Sequence, residues 1–117
     1  ATFAGIDMAE AEAKSRHLVH LFAAGAATIP GISVDALPAG RHGAQVIIRH
    51  PEARRVMAAL IARGVIGDMR PPDAMRFGFP ALTTRFADVG LALAALQDVL
   101  ASGEWREERF APKGVVS

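Results

Sequence analysis

Arg76 is the residue of this 117-residue chain whose type and setting point most directly to chemistry. It stands in Met75-Arg76-Phe77-Gly78-Phe79, where the hydrophobes alternate with Arg76 and Gly78. Period two sends Met75, Phe77 and Phe79 to one face of a strand and Arg76 to the other, beside a glycine that leaves room for an approaching group. A guanidinium on a strand expected to be buried needs a partner, because desolvating an unpaired charge is costly. A ligand anion would supply one: the planar guanidinium grips a carboxylate through two parallel hydrogen bonds and fixes its orientation. The competing partner is internal, an ion pair with Asp68 or Asp73. Gly78 is small either to admit a ligand or to make a bulge.

Other chemistries find less support. His17 and His20 are three apart on an expected helix and would need His42 or His50 to complete a metal site. No cysteine helps them and the carboxylates lack ligand spacing, so no metal is expected. Ser15, Ser33, Ser102 and Ser117 all lie outside a nucleophile elbow, and no glycine-rich phosphate loop precedes a helix. Formal charge is +1 with the basic residues scattered, and one tryptophan and six phenylalanines give no stacking platform, so no nucleic-acid partner is expected. Hydrophobic residues make up 51% of the chain, yet no apolar run approaches the roughly 20 residues of a membrane span, and a soluble chain is expected. The opening Ala1-Thr2-Phe3, without a signal-like segment, reads as excised from a larger protein.

The elements that must position Arg76 follow from periodicity. A first helix, about residues 7–27, has Asp7 as candidate N-cap and a stripe of Met8, Ala11, Ser15, Leu18, Val19, Phe22 and Ala26. Gly25 and Pro30 limit its length. Thr28 to Asp35 and Gln45 to His50 read as strands that pair antiparallel across a turn-rich connector. Pro51 and Glu52 suit the first turn of a second helix with Val56, Met57, Leu60 and Ile61 as its core face, closed by Arg63 and Gly64. Val65 to Met69 and Met75 to Phe79 form the next strand pair around Pro71-Pro72-Asp73, with Asp68, Arg70 and Asp73 read as structural supports of that turn. A third helix starts near Arg85 with Thr84 as cap, carries Phe86, Val89, Leu93, Leu96 and Leu100 inward, and ends at Gly103. The expectation is a single α+β domain over residues 1–117: a two-layer sandwich with a small, mainly antiparallel sheet of about four strands and helices on one face. Arg76 would point from the uncovered face.

The run Arg63-Gly64-Val65-Ile66-Gly67-Asp68, followed by Arg70-Pro71-Pro72-Asp73 and Arg76-Phe77-Gly78-Phe79, resembles the C-terminal part of the kynureninase family. The likeness extends more weakly through Ala13-Lys14-Ser15, Arg41-His42-Gly43, His50-Pro51 and Thr84-Arg85-Phe86, and so covers most of the chain. Where the family continues Phe-Thr-Pro-Leu-Tyr-Thr-Arg-Phe, this chain has Phe79-Pro80-Ala81-Leu82-Thr83-Thr84-Arg85-Phe86.

The resemblance implies the C-terminal small domain of a pyridoxal-phosphate enzyme of the aspartate aminotransferase fold type, cleaving L-kynurenine with water to anthranilate and L-alanine in tryptophan catabolism. It implies that Arg76 binds the substrate α-carboxylate, with Gly78, Thr83 and Arg85 lining the site; Arg85 either ends the site, binds a phosphate from the partner subunit, or is a solvated helix-start arginine. It implies that the cofactor is bound by the large domain of the same chain, in a cytoplasmic homodimer. It also leaves open whether the first helix packs on the sheet or apart from it. A Schiff-base lysine and an acid at the pyridine nitrogen are required, and only Lys14 and Lys113 occur here, so the isolated chain is expected to be inactive and free of cofactor. The alternatives are the small domain of another aminotransferase-fold enzyme, or a stand-alone α+β module that binds an amino acid through Arg76.

Overall fold

A computed structural model describes residues 8–35, 45–79 and 84–111. Three helices and four strands follow in the order α1 (Met8–Ala27), β1 (Ser33–Val34), β2 (Gln45–Arg49), α2 (Ala53–Ala62), β3 (Asp68–Arg70), β4 (Ala74–Gly78) and α3 (Phe86–Ser102), with two short 3-10 turns at Glu104–Arg106 and Glu108–Phe110. The strands form one sheet in the order β1-β2-β4-β3, and every neighbouring pair is antiparallel. This is the expected α+β architecture with its strand pairings, and β2 and β4 are the central strands.

Alternation divides the sheet. Val46, Ile48, Met75 and Phe77 point to the helices and are at most 1% exposed. Gln45, Ile47, Arg49, Arg76 and Gly78 have the opposite parity and are half-buried or exposed. The first helix lies on the sheet, since the Phe22 ring of α1 meets Phe77 at 5.4 Å and Phe79 at 5.1 Å. α2 packs on β3 and β4, and α3 packs against both other helices. Gly25 permits the close approach of α1 to α3, because a Cβ there would lie 2.6 Å from Leu93 Cδ1.

Several boundaries differ from the sequence expectation, for local reasons. The helix α1 passes Gly25, and the Thr28 and Ile29 amides still donate to the carbonyls of Gly25 and Ala26, so β1 shrinks to Ser33–Val34. At the end of α2 the Val65 amide donates back to the Leu60 carbonyl at 2.9 Å, which delays β3 until Asp68. Arg63 and the left-handed Gly64 close α2 as expected, and Gly103 closes α3. Ile61 is 53% exposed and Phe86 47% exposed, so neither belongs to the core; the Phe86 ring instead meets His17 edge-on at 5.6 Å. Arg85, not Thr84, is the N-cap of α3, and the carboxylate that satisfies its amide comes from Asp88. The candidate cap Asp7 lies outside the described residues.

Candidate functional site

The open sheet face carries two arginines on adjacent central strands, and their bonding differs sharply. Arg49, at the end of β2, has all three guanidinium nitrogens engaged. Nε and Nη2 donate to the two carboxylate oxygens of Asp35 at 2.9 and 3.0 Å, and Nη1 donates to Asp73 Oδ1 at 2.8 Å. The bidentate pair holds Asp35 beneath the usual carboxylate range, chiefly through its hydrogen bond from Arg49, and the same bonds raise Arg49 above the ordinary arginine value. Register explains the geometry. Arg49 is opposite Ser33 on β1 and Ala74 on β4, so Asp35 and Asp73, each close to one of those positions, flank it from both neighbours.

Arg76 sits on β4 between Ile47 of β2 and Asp68 of β3. Its Nη2 donates to Asp68 Oδ2 at 2.7 Å, and among the described residues this is its only side-chain hydrogen bond. The hydrogen bond from the guanidinium lowers the Asp68 carboxyl from its usual value. The side chain of Arg76 is 27% exposed and that of Asp68 is 63% exposed, so the pair lies at the rim of the face in contact with water. Of the two internal partners the sequence offered, Asp68 is the one Arg76 meets; Asp73 belongs to Arg49. The other donors of this guanidinium make no described hydrogen bond, and a planar guanidinium with donors to spare can take a planar anion.

The other expected site residues are distributed as follows. Gly78 is exposed at the end of β4 and pairs with Gln45 in unbroken register, which removes the bulge explanation for that glycine. A close approach on this strand pair is made at Gly67, where a Cβ would lie 2.7 Å from the Phe77 ring and 2.9 Å from the Arg76 carbonyl oxygen. Thr83 lies outside the described residues, with Pro80, Ala81 and Leu82. Arg85 is 78% exposed and turned to Asp88 of its own helix, at 2.9 Å, and no described hydrogen bond joins it to the Arg76 pair. Arg70 shares the open face of β3 with Asp68. Asp73 is structural as expected, though through Arg49 and through its carbonyl, which accepts the His50 amide at 3.0 Å, rather than by supporting its own turn.

Two supports of the site escaped the sequence reading. Arg49 was legible by parity, since it alternates with the buried Val46 and Ile48, but nothing local named Asp35 as its partner. Ser15, expected only as part of a helix stripe, donates from Oγ to the Phe79 carbonyl at 2.8 Å in the interior and ties α1 to the residue just beyond β4. Among the described residues no three of His, Cys, Asp and Glu come together as a metal cluster, and no described helix is long and apolar enough to cross a membrane.

Fold and site together define a small α+β domain whose antiparallel sheet carries one arginine bonded through all three guanidinium nitrogens and one with a single described side-chain hydrogen bond. The kynureninase C-terminal domain family matches residues 11–96, which contain most of α1, the whole sheet, α2 and most of α3. The chain belongs to that family. It is similar to the kynureninases of Burkholderia mallei and Burkholderia pseudomallei, each 48% identical over 77 residues, 66% of this chain and 18% of the relative. The kynureninase of Deinococcus radiodurans is 48% identical over 67 residues, 57% of this chain and 16% of the relative. The chain spans less than a fifth of the length of these curated relatives.

Proposed function

We propose that this chain is the C-terminal small domain of a kynureninase-like hydrolase, acting on L-kynurenine and water to give anthranilate and L-alanine, and that Arg76 binds the substrate α-carboxylate. The observation that carries the proposal is the contrast between the arginines. Arg49 is fully committed to Asp35 and Asp73, whereas Arg76 makes one described bond and keeps donors for a ligand. The relatives' name supplies the substrate class. The partner by this reading is the large domain of the same polypeptide, and the cytoplasmic homodimer implied by the family resemblance belongs to the same proposal.

Pyridoxal phosphate, when bound in the parent enzyme, supplies an electron sink for the bond changes at the substrate. The residues described here do not fit that cofactor. Among the described residues the charged side chains of the open face are Asp35, Arg49, Asp68, Arg70, Asp73 and Arg76, with no lysine, and Lys14 sits on α1 on the covered side. Its lysine and phosphate ligands therefore belong, in this proposal, to the large domain. What this chain contributes is grip and alignment: two parallel bonds from Arg76 to a carboxylate would fix the plane in which the substrate's reacting bonds are held.

The test is Arg76→Ala in the full-length enzyme. Removing one partner of a charge-assisted pair costs about 2–5 kcal/mol, so kcat/KM for L-kynurenine should fall at least about thirtyfold, with cofactor absorbance intact. An unchanged kcat/KM would remove Arg76 from the site.

A further inference from the structure

Asp68 has no part in binding a carboxylate, yet it is the described side chain that touches the Arg76 guanidinium. We propose that Asp68 is a positioning residue that aims Arg76 across the open sheet face at its carboxylate ligand, an inference that rests on the role proposed above for Arg76. The two residues occupy directly paired positions of the β3–β4 ladder, so the acceptor is delivered by the backbone register rather than by a loop. Cross-strand neighbours at paired positions are close enough for a long side chain to reach without distortion.

The pair is made with a single nitrogen. Nη2 is held by Asp68 Oδ2 at 2.7 Å, while Arg49 on the next strand spends Nε, Nη1 and Nη2 on two aspartates. One fixed N–H removes much of the rotamer freedom of an arginine and leaves the other donors to meet a second anion. Gly67, immediately before Asp68, allows the chain to enter β3 against the Arg76 carbonyl and the Phe77 ring, at a spacing no side chain would permit. Asp68 is 63% exposed, so its charge is screened by water and repels an incoming carboxylate weakly; its acceptor oxygen still orients the guanidinium. The acceptor matters more than the charge.

That distinction is measurable in the full-length enzyme with L-kynurenine as the probe, using D68A, D68N and R76A. D68A should lower kcat/KM about tenfold, the factor that about 1.4 kcal/mol represents, mainly through KM. D68N keeps an acceptor oxygen without the charge and should stay within about twofold of the wild type. Thermal midpoints of both variants should match the wild type, because so exposed a pair adds little to folding. If R76A is impaired and D68A is not, the positioning role is overturned while the Arg76 reading stands. If D68A and D68N both bind more tightly, Asp68 competes with the ligand instead, and if both are equally impaired the charge rather than the acceptor is responsible; either result overturns the proposal. An unimpaired R76A overturns both readings.

Discussion

The two faces of the sheet are built from alternate residues of the same strands and do opposite work. Towards the helices, Val46, Ile48, Met75 and Phe77 are buried to the last percent and interlock with Phe22 of α1. Towards solvent, the intervening positions carry Arg49, paired to Asp35 and Asp73 just beyond the ends of the neighbouring strands, and Arg76, paired to Asp68 on β3. Burial of apolar surface is non-directional and large, so the covered face sets stability. Ion pairs in water are weak but directional, so the open face sets geometry. A domain whose role is to hold one guanidinium in a fixed attitude can separate the two tasks by the two-residue period of a strand.

The comparison is broken most forcefully on the covered side. Phe77→Ala empties space beneath β4 and should cost about 3–5 kcal/mol in urea denaturation. A loss below about 1 kcal/mol would mean that the core does not rest on this strand. Ser15→Ala comes next: it leaves the Phe79 carbonyl without its interior donor, and a loss of about 1–3 kcal/mol is expected in the same titration.

The open side should respond to acid instead of to volume. Asp35 has its folded value lowered by Arg49, so the stability it contributes is fully present above the unfolded carboxylate value of about 3.9 and disappears as pH falls through the lower folded value. The deficit of Asp35→Asn relative to wild type should therefore be constant above about pH 5 and close as the solution is acidified. His50, lowered by burial, also favours folding at higher pH, but it is present in both proteins and cancels in the difference. This is the smallest effect of the three, and it should shrink further in about 1 M salt. A deficit that persists at low pH and high salt would show that the open face contributes packing, and the division of labour would fail.

Legibility followed the range of the interaction. The parity that set Arg76 opposite Met75 and Phe77 was readable from five consecutive residues, and the glycines that close α2 and α3 were readable from single positions. Ile61 and Phe86 were placed in the core because they continue an apolar periodicity, yet each lies near a helix end and stays about half exposed, the Phe86 ring meeting His17 of α1 edge-on. Thr84 had the better capping side chain, but Asp88 accepts the amide of Arg85 and moves the helix start one residue on. The Arg76 partner was narrowed to two aspartates, and sequence distance pointed to the wrong one: Asp73 is the nearer in the chain, yet Asp68, eight residues away, is the residue that the strand register sets opposite Arg76.

By itself the sequence determined the number and kind of elements, the face on which Arg76 emerges, and membership of a family through the run from Arg63 to Phe79. Tertiary structure alone decided which carboxylate meets which arginine. The order β1-β2-β4-β3 places β2 beside β4, so Asp73 reaches Arg49 from 24 residues away while Asp68 reaches Arg76 across a hairpin. Periodicity acts within a strand, whereas register acts between strands; only the second could leave one arginine saturated and the other with donors to offer.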